Sequence, residues 1–288
     1  MKWEGNRESN NVEDRRGSGG GGGFGGRSIG IGTIVIALVG SYFFGISPVT
    51  IINFLSGGGM PQQSQQAPAH APPANDQTAK FSSVILGSTE DVWTQIFQAS
   101  GKQYVAPKLV LFTGATPTAC GTGQTASGPF YCPGDKKVYL DLSFFQMMKQ
   151  RFNVAGDFAQ AYVIAHEVGH HVQNLMGVMA QVDNLKRRAT EAQANALSVR
   201  VELQADCLAG VWAYHANQAH KWLEPGDVDS ALNAANAIGD DALQQKAQGR
   251  VVPDSFTHGT SAQRARWLKQ GLSTGQVSSC DTFSPQTL

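Results

Sequence analysis

The sequence lacks an excess of charge of either sign and has few charged residues altogether. Its 22 Lys and Arg balance 22 Asp and Glu, and charged residues make up 15% of the chain. An average globular protein has about 25%. A nucleic-acid-binding protein needs a basic surface that neutralises phosphate groups. The balance of charge therefore argues against nucleic acid as a partner.

A second absence is the lack of any Asp, Glu, Lys or Arg between Ser28 and Asn75. The first part of this segment, from Ile29 to Ile46, has the length and polarity of a transmembrane helix, which needs about 20 apolar residues. Its glycine-rich and Pro/Gln/Ala-rich flanks argue against a helix buried in a protein core. A cleaved signal peptide is the other alternative, but the charged region before the segment is long and no small-x-small cleavage site follows it. The sequence predicts one membrane-anchoring helix within residues 28–56.

The charges before this segment give it a predicted orientation. No Lys or Arg follows the segment until Lys80, whereas three arginines lie just before it: Arg15, Arg16 and Arg27. The positive-inside rule then predicts a single-pass inner (cell) membrane protein whose partner is the lipid bilayer. Residues 1–27, charged and rich in glycine, are predicted to be a disordered cytoplasmic tail. The remainder of the chain is predicted to be periplasmic or extracellular.

The outward-facing part is predicted to consist of a linker and one folded domain. Residues 57–79 are rich in Pro, Gln and Ala and are predicted to be an extended linker, which leaves residues 80–288 as the domain. Strands are predicted near Lys108–Phe112 and Lys137–Leu142, and helical periodicity dominates after them. The predicted fold is α+β, mainly helical, with a small β-sheet.

Four cysteines lie in the predicted domain, and none of them forms a Cys-x-x-Cys pair, so a zinc ribbon is not expected. An even number of cysteines in an exported domain is typical of disulfides. The sequence predicts a local pair, Cys120–Cys132, across a glycine-rich loop, and Cys207–Cys280 by elimination. Reduced cysteines within the core are the alternative.

A short motif gives the strongest functional signal. His166-Glu-Val-Gly-His170 lies within a helix predicted from Asp157 to Gly177. Residues four apart lie on the same face of a helix, so His166 and His170 can bind one cation through their imidazole nitrogens. Glu167 follows the first histidine, where its carboxylate can reach a metal-bound water without occupying a coordination position. The motif predicts a catalytic zinc site.

A catalytic zinc site needs a third protein ligand, and Glu202 is the predicted one. The extended motif that adds a third histidine is excluded, because its glycine and histidine positions hold Gln173 and Met176. Glu202 and Asp206 lie four residues apart in a predicted helical stretch, so one carboxylate can bind metal while the other accepts the ring N–H of a ligand histidine. A solvated helix face is the alternative, but the neighbouring residues are mostly apolar.

These motifs resemble those of a known family. His166-Glu-Val-Gly-His170 followed by Glu202-Leu-Gln-Ala-Asp206 is similar to the gluzincin arrangement of zinc metallopeptidases. With residues 3–16 and 249–264, the chain resembles the bacterial YpfJ-like neutral zinc metallopeptidase family along nearly its whole length. The resemblance implies a zincin-like domain in which Glu167 activates water, Asp206 orients a ligand histidine, and Zn²⁺ is bound by His166, His170 and Glu202.

The resulting functional hypothesis is a membrane-anchored zinc metalloendopeptidase that hydrolyses peptides or unfolded proteins. Glu167 would take a proton from the zinc-bound water as it attacks and later pass a proton to the leaving amine. The developing oxyanion needs a further donor, and His258 is the candidate. His258 and Arg264 resemble a late His…Arg element of membrane zinc peptidases of the HtpX type. A loop histidine without a catalytic role is the alternative.

Two other functions are compatible with a zinc site. The protein could be a zinc-stabilised, non-catalytic envelope scaffold or chaperone-like binding protein, or a zinc amidase with a non-peptide substrate. Glu167 discriminates between catalysis and scaffolding, because a structural site gains nothing from a carboxylate beside an open coordination position.

Three weaker signals complete the predictions. His171 follows the motif on a different helix face and is expected to pack rather than to bind metal. Asp240 and Asp241 are expected to be a solvated acidic pair at a helix start. The strand from Val138 to Leu142 is either an ordinary strand or the edge along which an extended peptide pairs.

Overall fold

The computed structural model describes residues 1–17, 70–124, 128–284 and 288, and a small sheet forms one layer of them. Its strands are β1 (Val12–Asp14), β2 (Lys108–Phe112), β5 (Phe130–Cys132) and β6 (Lys137–Asp141), while β3 (Ala115–Thr118) and β4 (Gly121–Gln124) form a separate hairpin. The order is β1-β2-β6-β5, with β1, β2 and β6 parallel and β5 antiparallel to β6. β2 and β6 are the central pair, and their nearly continuous apolar sequences suit burial on both faces.

The described part of the chain has eight α-helices, which confirms the mainly helical α+β fold predicted from the sequence. They are α1 (Gln77–Ala99), α2 (Ser143–Phe152), α3 (Asp157–Leu175), α4 (Val178–Lys186), α5 (Glu191–His220), α6 (Asp227–Ala237), α7 (Asp240–Gln248) and α8 (Ser261–Thr274). The helix predicted around the His-Glu-x-x-His motif is α3. Thr190 caps α5 and separates it from α4, because its side chain accepts a hydrogen bond from the backbone N–H of Gln193.

Close packing of α3, α5 and α8 brings distant parts of the chain together. A Cβ atom at Gly169 on α3 would lie 3.0 Å from the backbone oxygen of Ala205 on α5. At Gly271 on α8 a Cβ atom would overlap the carbonyl of Cys207 on α5. Only glycine permits the approach at Gly271, and a side chain at Gly169 would crowd the backbone of Ala205. The helix that contains the His-Glu-x-x-His motif therefore lies directly against the helix that contains Glu202.

Both predicted disulfides are present. Cys120–Cys132 connects the β3–β4 hairpin to β5. Cys207–Cys280 joins α5 to the 3₁₀ turn after α8, across a sequence separation of 73. The second bond holds the segment after α8 against the helix that contains Glu202.

Residues 1–16 belong to the fold, which corrects the disordered tail predicted over residues 1–27. They form one unit with residues 70–288. Trp3 is buried against Phe81 with ring centroids 5.3 Å apart, and its indole N–H donates to Asp157 Oδ2 at 2.9 Å. β1 extends the sheet by pairing with β2. The N-terminal segment therefore contacts the first residue of α3.

Charged residues in the N-terminal segment form ion pairs within the folded unit. Composition alone does not reveal such partners, and for this reason it gave a wrong prediction of disorder. Arg7 forms ion pairs with Glu90 and Asp91 at 2.9 and 2.8 Å. Glu13 lies 2.9 Å from both Lys108 and Lys137. A charged segment with such partners folds as part of a domain, although its composition is that of a disordered chain.

The folded domain also begins earlier than predicted. α1 starts at Gln77 within the predicted linker, and the Asp76 side chain caps it by accepting from the backbone N–H groups of Thr78 and Ala79. The rest of the linker up to residue 69 lies outside the described residues.

The predicted single-pass membrane topology is wrong. Among the described residues, no helix combines the length and apolar character that a bilayer crossing requires. The predicted anchor, residues 28–56, lies outside the described part of the chain. β1 and β2 are hydrogen-bonded neighbours, whereas the predicted topology would place them on opposite sides of a membrane. Arg15 and Arg16 belong to the folded unit, so their charge is not that of a membrane flank and does not indicate orientation.

Candidate metal centre

His166 and His170 lie one turn apart on α3, and both are buried. Their Nε2 atoms approach the same carboxylate on α5. His166 Nε2 is 3.2 Å from Glu202 Oε2, and His170 Nε2 is 3.5 Å from Glu202 Oε1. One potential ligand atom from each residue lies within 4.8 Å of the others. The structure thus brings together the three residues that the sequence predicted as metal ligands.

The second ring nitrogen of His166 is fixed by Asp206. His166 Nδ1 lies 2.8 Å from Asp206 Oδ1, and a carboxylate can only accept. Nδ1 therefore donates, and Nε2 is the ring nitrogen that faces Glu202. This is the role that the sequence predicted for Asp206.

The second ring nitrogen of His170 is fixed by Gln173, a residue that sequence reasoning missed. His170 Nδ1 lies 2.9 Å from Gln173 Oε1. The amide nitrogen of Gln173 donates to the Val201 carbonyl at 2.7 Å and to Gln204 Oε1 at 3.0 Å, which sets the orientation of the amide. Its oxygen must accept from His170 Nδ1, so Nε2 is again the ring nitrogen that faces Glu202. An i+3 polar residue after a ligand histidine is the signal that could have identified Gln173.

Three potential ligand groups therefore converge on one point, where a positive charge is stabilised. Burial lowers the pKa of His166, but the carboxylates of Asp206 and Glu202 outweigh it and raise that pKa to about 10. Burial raises the pKa of Glu202, but the charge of His170 and hydrogen bonds from both histidines hold it well below its ordinary value. Two imidazole nitrogens and one carboxylate are a zinc-type donor set.

Asp206 is itself held by Arg264 on α8. Arg264 donates from Nε to Oδ2 at 2.9 Å and from Nη2 to Oδ1 at 3.0 Å. The Tyr162 hydroxyl adds a hydrogen bond to Oδ1 at 2.5 Å. Burial raises the pKa of Asp206, but Arg264 and His166 lower it to about 2. The carboxylate that orients His166 is thus kept ionised and in one position, through two residues whose role in the site the sequence did not reveal.

Glu167 is the remaining buried carboxylate of the site. Glu202 lies against both histidines, and Asp206 is paired with Arg264. Glu167 is neither one of the three potential metal ligands nor a partner of Arg264. Burial raises the pKa of Glu167, and the two histidines oppose that shift. An available buried carboxylate with a raised pKa suits proton transfer.

His258 lies in the loop before α8, with its side chain about half-exposed at 51%. Its ring Nδ1 is 3.2 Å from Asp240 Oδ1. The hydrogen bond with Asp240 raises the pKa of His258, and the charge of Glu202 also raises it, whereas burial lowers it. His258 therefore lies within electrostatic reach of Glu202, but it does not belong to the cluster of potential metal ligands found among the described residues.

Asp240 organises the His258 loop, which corrects the prediction of a solvated acidic pair. Its Oδ2 accepts the backbone N–H groups of Thr257, His258 and Gly259 at 2.7, 2.6 and 3.2 Å. Asp240 is only 8% exposed, because the loop folds over it. The sequence placed Asp240 at a helix start correctly, but it could not show that another loop supplies the donors.

His171 faces away from the cluster, as predicted. Its Nε2 donates to the Val105 carbonyl at 2.7 Å, and its Nδ1 lies 3.0 Å from the Tyr131 hydroxyl on β5. Burial lowers its pKa to about 4, so it is a neutral packing residue. The same contact places β5 against α3.

The strand from Val138 to Leu142 was interpreted either as an ordinary strand or as an edge along which a peptide pairs. It forms β6, which lies inside the four-stranded sheet, whereas β5 is at the edge. β6 is therefore an ordinary internal strand.

An α+β fold in which a His-Glu-x-x-His helix meets a distant glutamate defines the class of zinc metallopeptidases. The chain belongs to the family described as "Putative neutral zinc metallopeptidase", whose model matches residues 1–283. This confirms the resemblance found in the motifs, and zinc is the metal that the His-His-Glu cluster fits.

Individual relatives match over most of the chain. It is 52% identical to "Uncharacterized protein YpfJ" of Escherichia coli strain K12, over 98% of this chain and 99% of that protein. It is 43% identical to "Uncharacterized protein Rv2575" of Mycobacterium tuberculosis strain H37Rv and to "Uncharacterized protein Mb2605" of Mycobacterium bovis, over 71% of each chain. No solved structure matches the chain.

Proposed function

We propose that the protein is a zinc-dependent endopeptidase in which Glu167 is the general base. The observation that carries this proposal is the meeting of His166, His170 and Glu202 at one point, with Glu167 left as a separate buried carboxylate beside it. A purely structural site has four closed positions, whereas three protein ligands leave one position open.

The residues around the site would have different roles in peptide hydrolysis. Zinc, when bound by the His-His-Glu cluster, supplies Lewis acidity that polarises a scissile carbonyl and acidifies water. Glu167 accepts the proton of the attacking water, retains it on its carboxylate, and delivers a proton to the leaving amine. Asp206 and Gln173 keep both imidazoles in the tautomer that binds metal.

His258 is proposed as the donor to the oxyanion that forms on the substrate carbonyl. The support is its position within electrostatic reach of Glu202 and the rigid loop that Asp240 builds around it. Its ring nitrogen Nδ1 faces Asp240, so Nε2 is the nitrogen proposed to donate to the substrate. A donor that is held in place before the reaction stabilises developing charge without reorganisation.

The test is Glu167→Gln, which keeps the size of the side chain and removes the base. We expect the variant to retain its zinc content and to lose peptidase activity on casein by about 10²- to 10⁴-fold. Glu191→Gln, at the exposed start of α5, is the matched control and should cleave casein at the wild-type rate. If the zinc-loaded wild type cleaves no peptide and the variant is indistinguishable from it, the endopeptidase proposal is wrong, and the non-catalytic scaffold and the zinc amidase are the functions left.

A further inference from the structure

Gln204 lies on α5, two residues after Glu202, and only 8% of it is exposed. Its amide nitrogen donates to the carbonyl of Cys280 at 3.0 Å, and its amide oxygen accepts from Gln173 Nε2 at 3.0 Å. Gln173 in turn accepts from His170 Nδ1 at 2.9 Å. Buried hydrogen bonds thus connect a potential metal ligand on α3 to the backbone of the 3₁₀ turn after α8.

The Cys280 carbonyl sets the direction of both amides. A carbonyl oxygen can only accept, so Gln204 must direct its NH₂ group to Cys280 and its oxygen to Gln173. Gln173 must then present its own NH₂ group, whose other hydrogen goes to the Val201 carbonyl at 2.7 Å. The oxygen of Gln173 is left for His170 Nδ1, so Nε2 is the ring nitrogen that faces the metal cluster.

Gln204 fixes the amide of Gln173 more firmly than Val201 could alone. If Gln173 were reversed without Gln204 present, two acceptors would face each other at one place, the Val201 carbonyl. With Gln204 present, reversal of both amides produces such contacts at two places, Val201 and Cys280. Gln173 is fully buried, at 0% exposure, and acceptors that face each other in the interior are left without hydrogen bonds.

The turn that contains Cys280 is held on both sides of this carbonyl. Cys280 is bonded to Cys207 on α5, and both residues are buried. Two residues further along, the Thr282 hydroxyl donates to the Arg200 carbonyl at 2.6 Å, and the Arg200 side chain donates to the Thr282 carbonyl. The disulfide and these hydrogen bonds make the Cys280 carbonyl a fixed acceptor.

The other histidine of the cluster is oriented by a different set of contacts. His166 Nδ1 donates to Asp206, which is held by Arg264 on α8. A change at Gln204 should therefore affect His170 and leave His166 in place. The two histidines give a comparison within one molecule.

We propose that Gln204 is a positioning residue for zinc binding. Through Gln173 it keeps Nε2 of His170 directed at the metal centre, and the Cys207–Cys280 disulfide contributes by holding the carbonyl to which Gln204 donates. The inference rests on the zinc-binding part of the proposed function and not on peptide hydrolysis. Zinc affinity is therefore the quantity that tests it.

The experiment is a double-mutant cycle on zinc affinity. Gln173→Met, Gln204→Met and the double variant keep the length of the side chains and remove their hydrogen bonds. Gln218→Met, near the exposed end of the same helix, is the control. Zinc dissociation constants are measured by competition with a chelator. Melting temperatures of the zinc-free proteins confirm that the variants fold.

Gln173→Met should weaken zinc binding about 10- to 100-fold, and Gln204→Met, one contact further from the ligand, about tenfold. The double variant should match Gln173→Met within about twofold, because Gln204 acts through Gln173. Gln218→Met should match the wild type. Wild-type affinity in Gln204→Met, or losses that multiply in the double variant, would overturn the inference.

The wild type itself separates this inference from the proposed function. Zinc binding that depends on Gln204, without cleavage of casein, would support the positioning role and reject hydrolysis. A wild type that binds no zinc would overturn both proposals.

A spectroscopic measurement distinguishes the positioning of His170 from a general loss of structure. NMR spectra of the zinc-loaded proteins with isotope-labelled histidine report how fast each Nδ1–H exchanges with solvent. In Gln204→Met the Nδ1–H of His170 should exchange at least about tenfold faster than in the wild type, because its acceptor is less well fixed. The Nδ1–H of His166 should be unchanged. Equal acceleration at both histidines would contradict a specific role.

Cys207→Ala/Cys280→Ala tests the contribution of the disulfide. This variant should weaken zinc binding to about the level of Gln204→Met, and the addition of Gln204→Met should not weaken it further. Cys120→Ala/Cys132→Ala, which lacks the other disulfide, is the control and should bind zinc like the wild type. Wild-type affinity without the Cys207–Cys280 bond would overturn the contribution of the disulfide. If that variant does not fold, the cycle on the two glutamines is the test.

Discussion

Arg264 on α8 donates two hydrogen bonds to Asp206 on α5, at 2.9 and 3.0 Å. Asp206 in turn accepts from the ring of His166 at 2.8 Å. The orientation of a proposed zinc ligand on α3 therefore depends on an arginine 58 residues beyond Asp206 in the sequence. A buried bidentate pair of this kind combines charge with fixed geometry.

Removal of Arg264 should affect both stability and metal binding. Arg264→Ala leaves the Asp206 carboxylate buried without its cation, and breaking a buried pair in this way costs about 3 to 5 kcal/mol. The released carboxylate orients His166 less well, so zinc affinity should fall about 10- to 100-fold. Urea unfolding and competition with a zinc chelator measure the two effects. Arg266→Ala, on the exposed face of the same helix, should alter neither; equal loss in both variants would refute the special role of Arg264.

Zinc should stabilise the folded protein, because a ligand that binds only the folded state raises the free energy of unfolding. With zinc at about 1,000 times its dissociation constant the gain is about 4 kcal/mol, which corresponds to a rise in melting temperature on the order of 10 °C. Differential scanning fluorimetry before and after chelation measures the shift. Glu202→Ala should show a much smaller shift. An unchanged melting temperature after verified metal removal would contradict the coupling.

Glu13 should make stability depend on acid pH. Burial raises the pKa of Glu13, but hydrogen bonds from Lys108, Lys137 and Arg15 outweigh it and lower the pKa to about 2. A carboxyl whose pKa is depressed in the folded state contributes stability above its ordinary pKa of 4.5 and loses it as the pH falls towards 2. Because water reaches this part of the sheet, we expect a contribution of only about 1 kcal/mol at neutral pH.

Urea unfolding of Glu13→Gln between pH 7 and pH 3 measures this contribution. The variant should be less stable than the wild type at pH 7 and should approach it as the pH decreases. Glu4→Gln, at an exposed position of the same segment, is the control. A stability difference that does not depend on pH would show that Glu13 acts through packing rather than through its charge.

His258 should contribute to turnover rather than to metal binding. His258→Ala removes the proposed oxyanion donor, so kcat should fall about 10²- to 10³-fold while zinc content is unchanged. His258→Gln retains an N–H donor and should recover part of the loss. His220→Ala, at the exposed end of α5, is the control for a histidine without a proposed role. If His258→Ala lost zinc together with activity, the residue would be part of the metal site instead.

The metal cluster could be predicted from the sequence because its geometry is largely local. The i, i+4 spacing within α3 places His166 beside His170, and the same spacing on α5 separates Glu202 from Asp206. Only the meeting of the two helices had to be assumed, and Gly169 makes it sterically possible. The disulfide pairs followed from the number and separation of the cysteines.

The supporting contacts could not be predicted, because they join residues that are distant in sequence. Tyr162 reaches Asp206 across a separation of 44 residues, and Arg264 reaches Tyr162 across 102. Asp240 organises a loop 17 to 19 residues away. No periodicity or local motif encodes such contacts, which depend on how α5, α7 and α8 pack. The prediction of a disordered N-terminal segment was wrong for the same reason, since the residues that this segment contacts lie far along the chain.

The pairing of β1 with β2 determines which shortened forms of the protein can be studied. A fragment that starts at residue 80, as composition suggests, would lose Trp3, the whole of β1 and the Asp76 cap of α1. β2 would then expose its hydrogen-bonding groups along one side, and an uncovered strand of this kind recruits strands from other molecules. Such a fragment should aggregate even though every proposed zinc ligand is present.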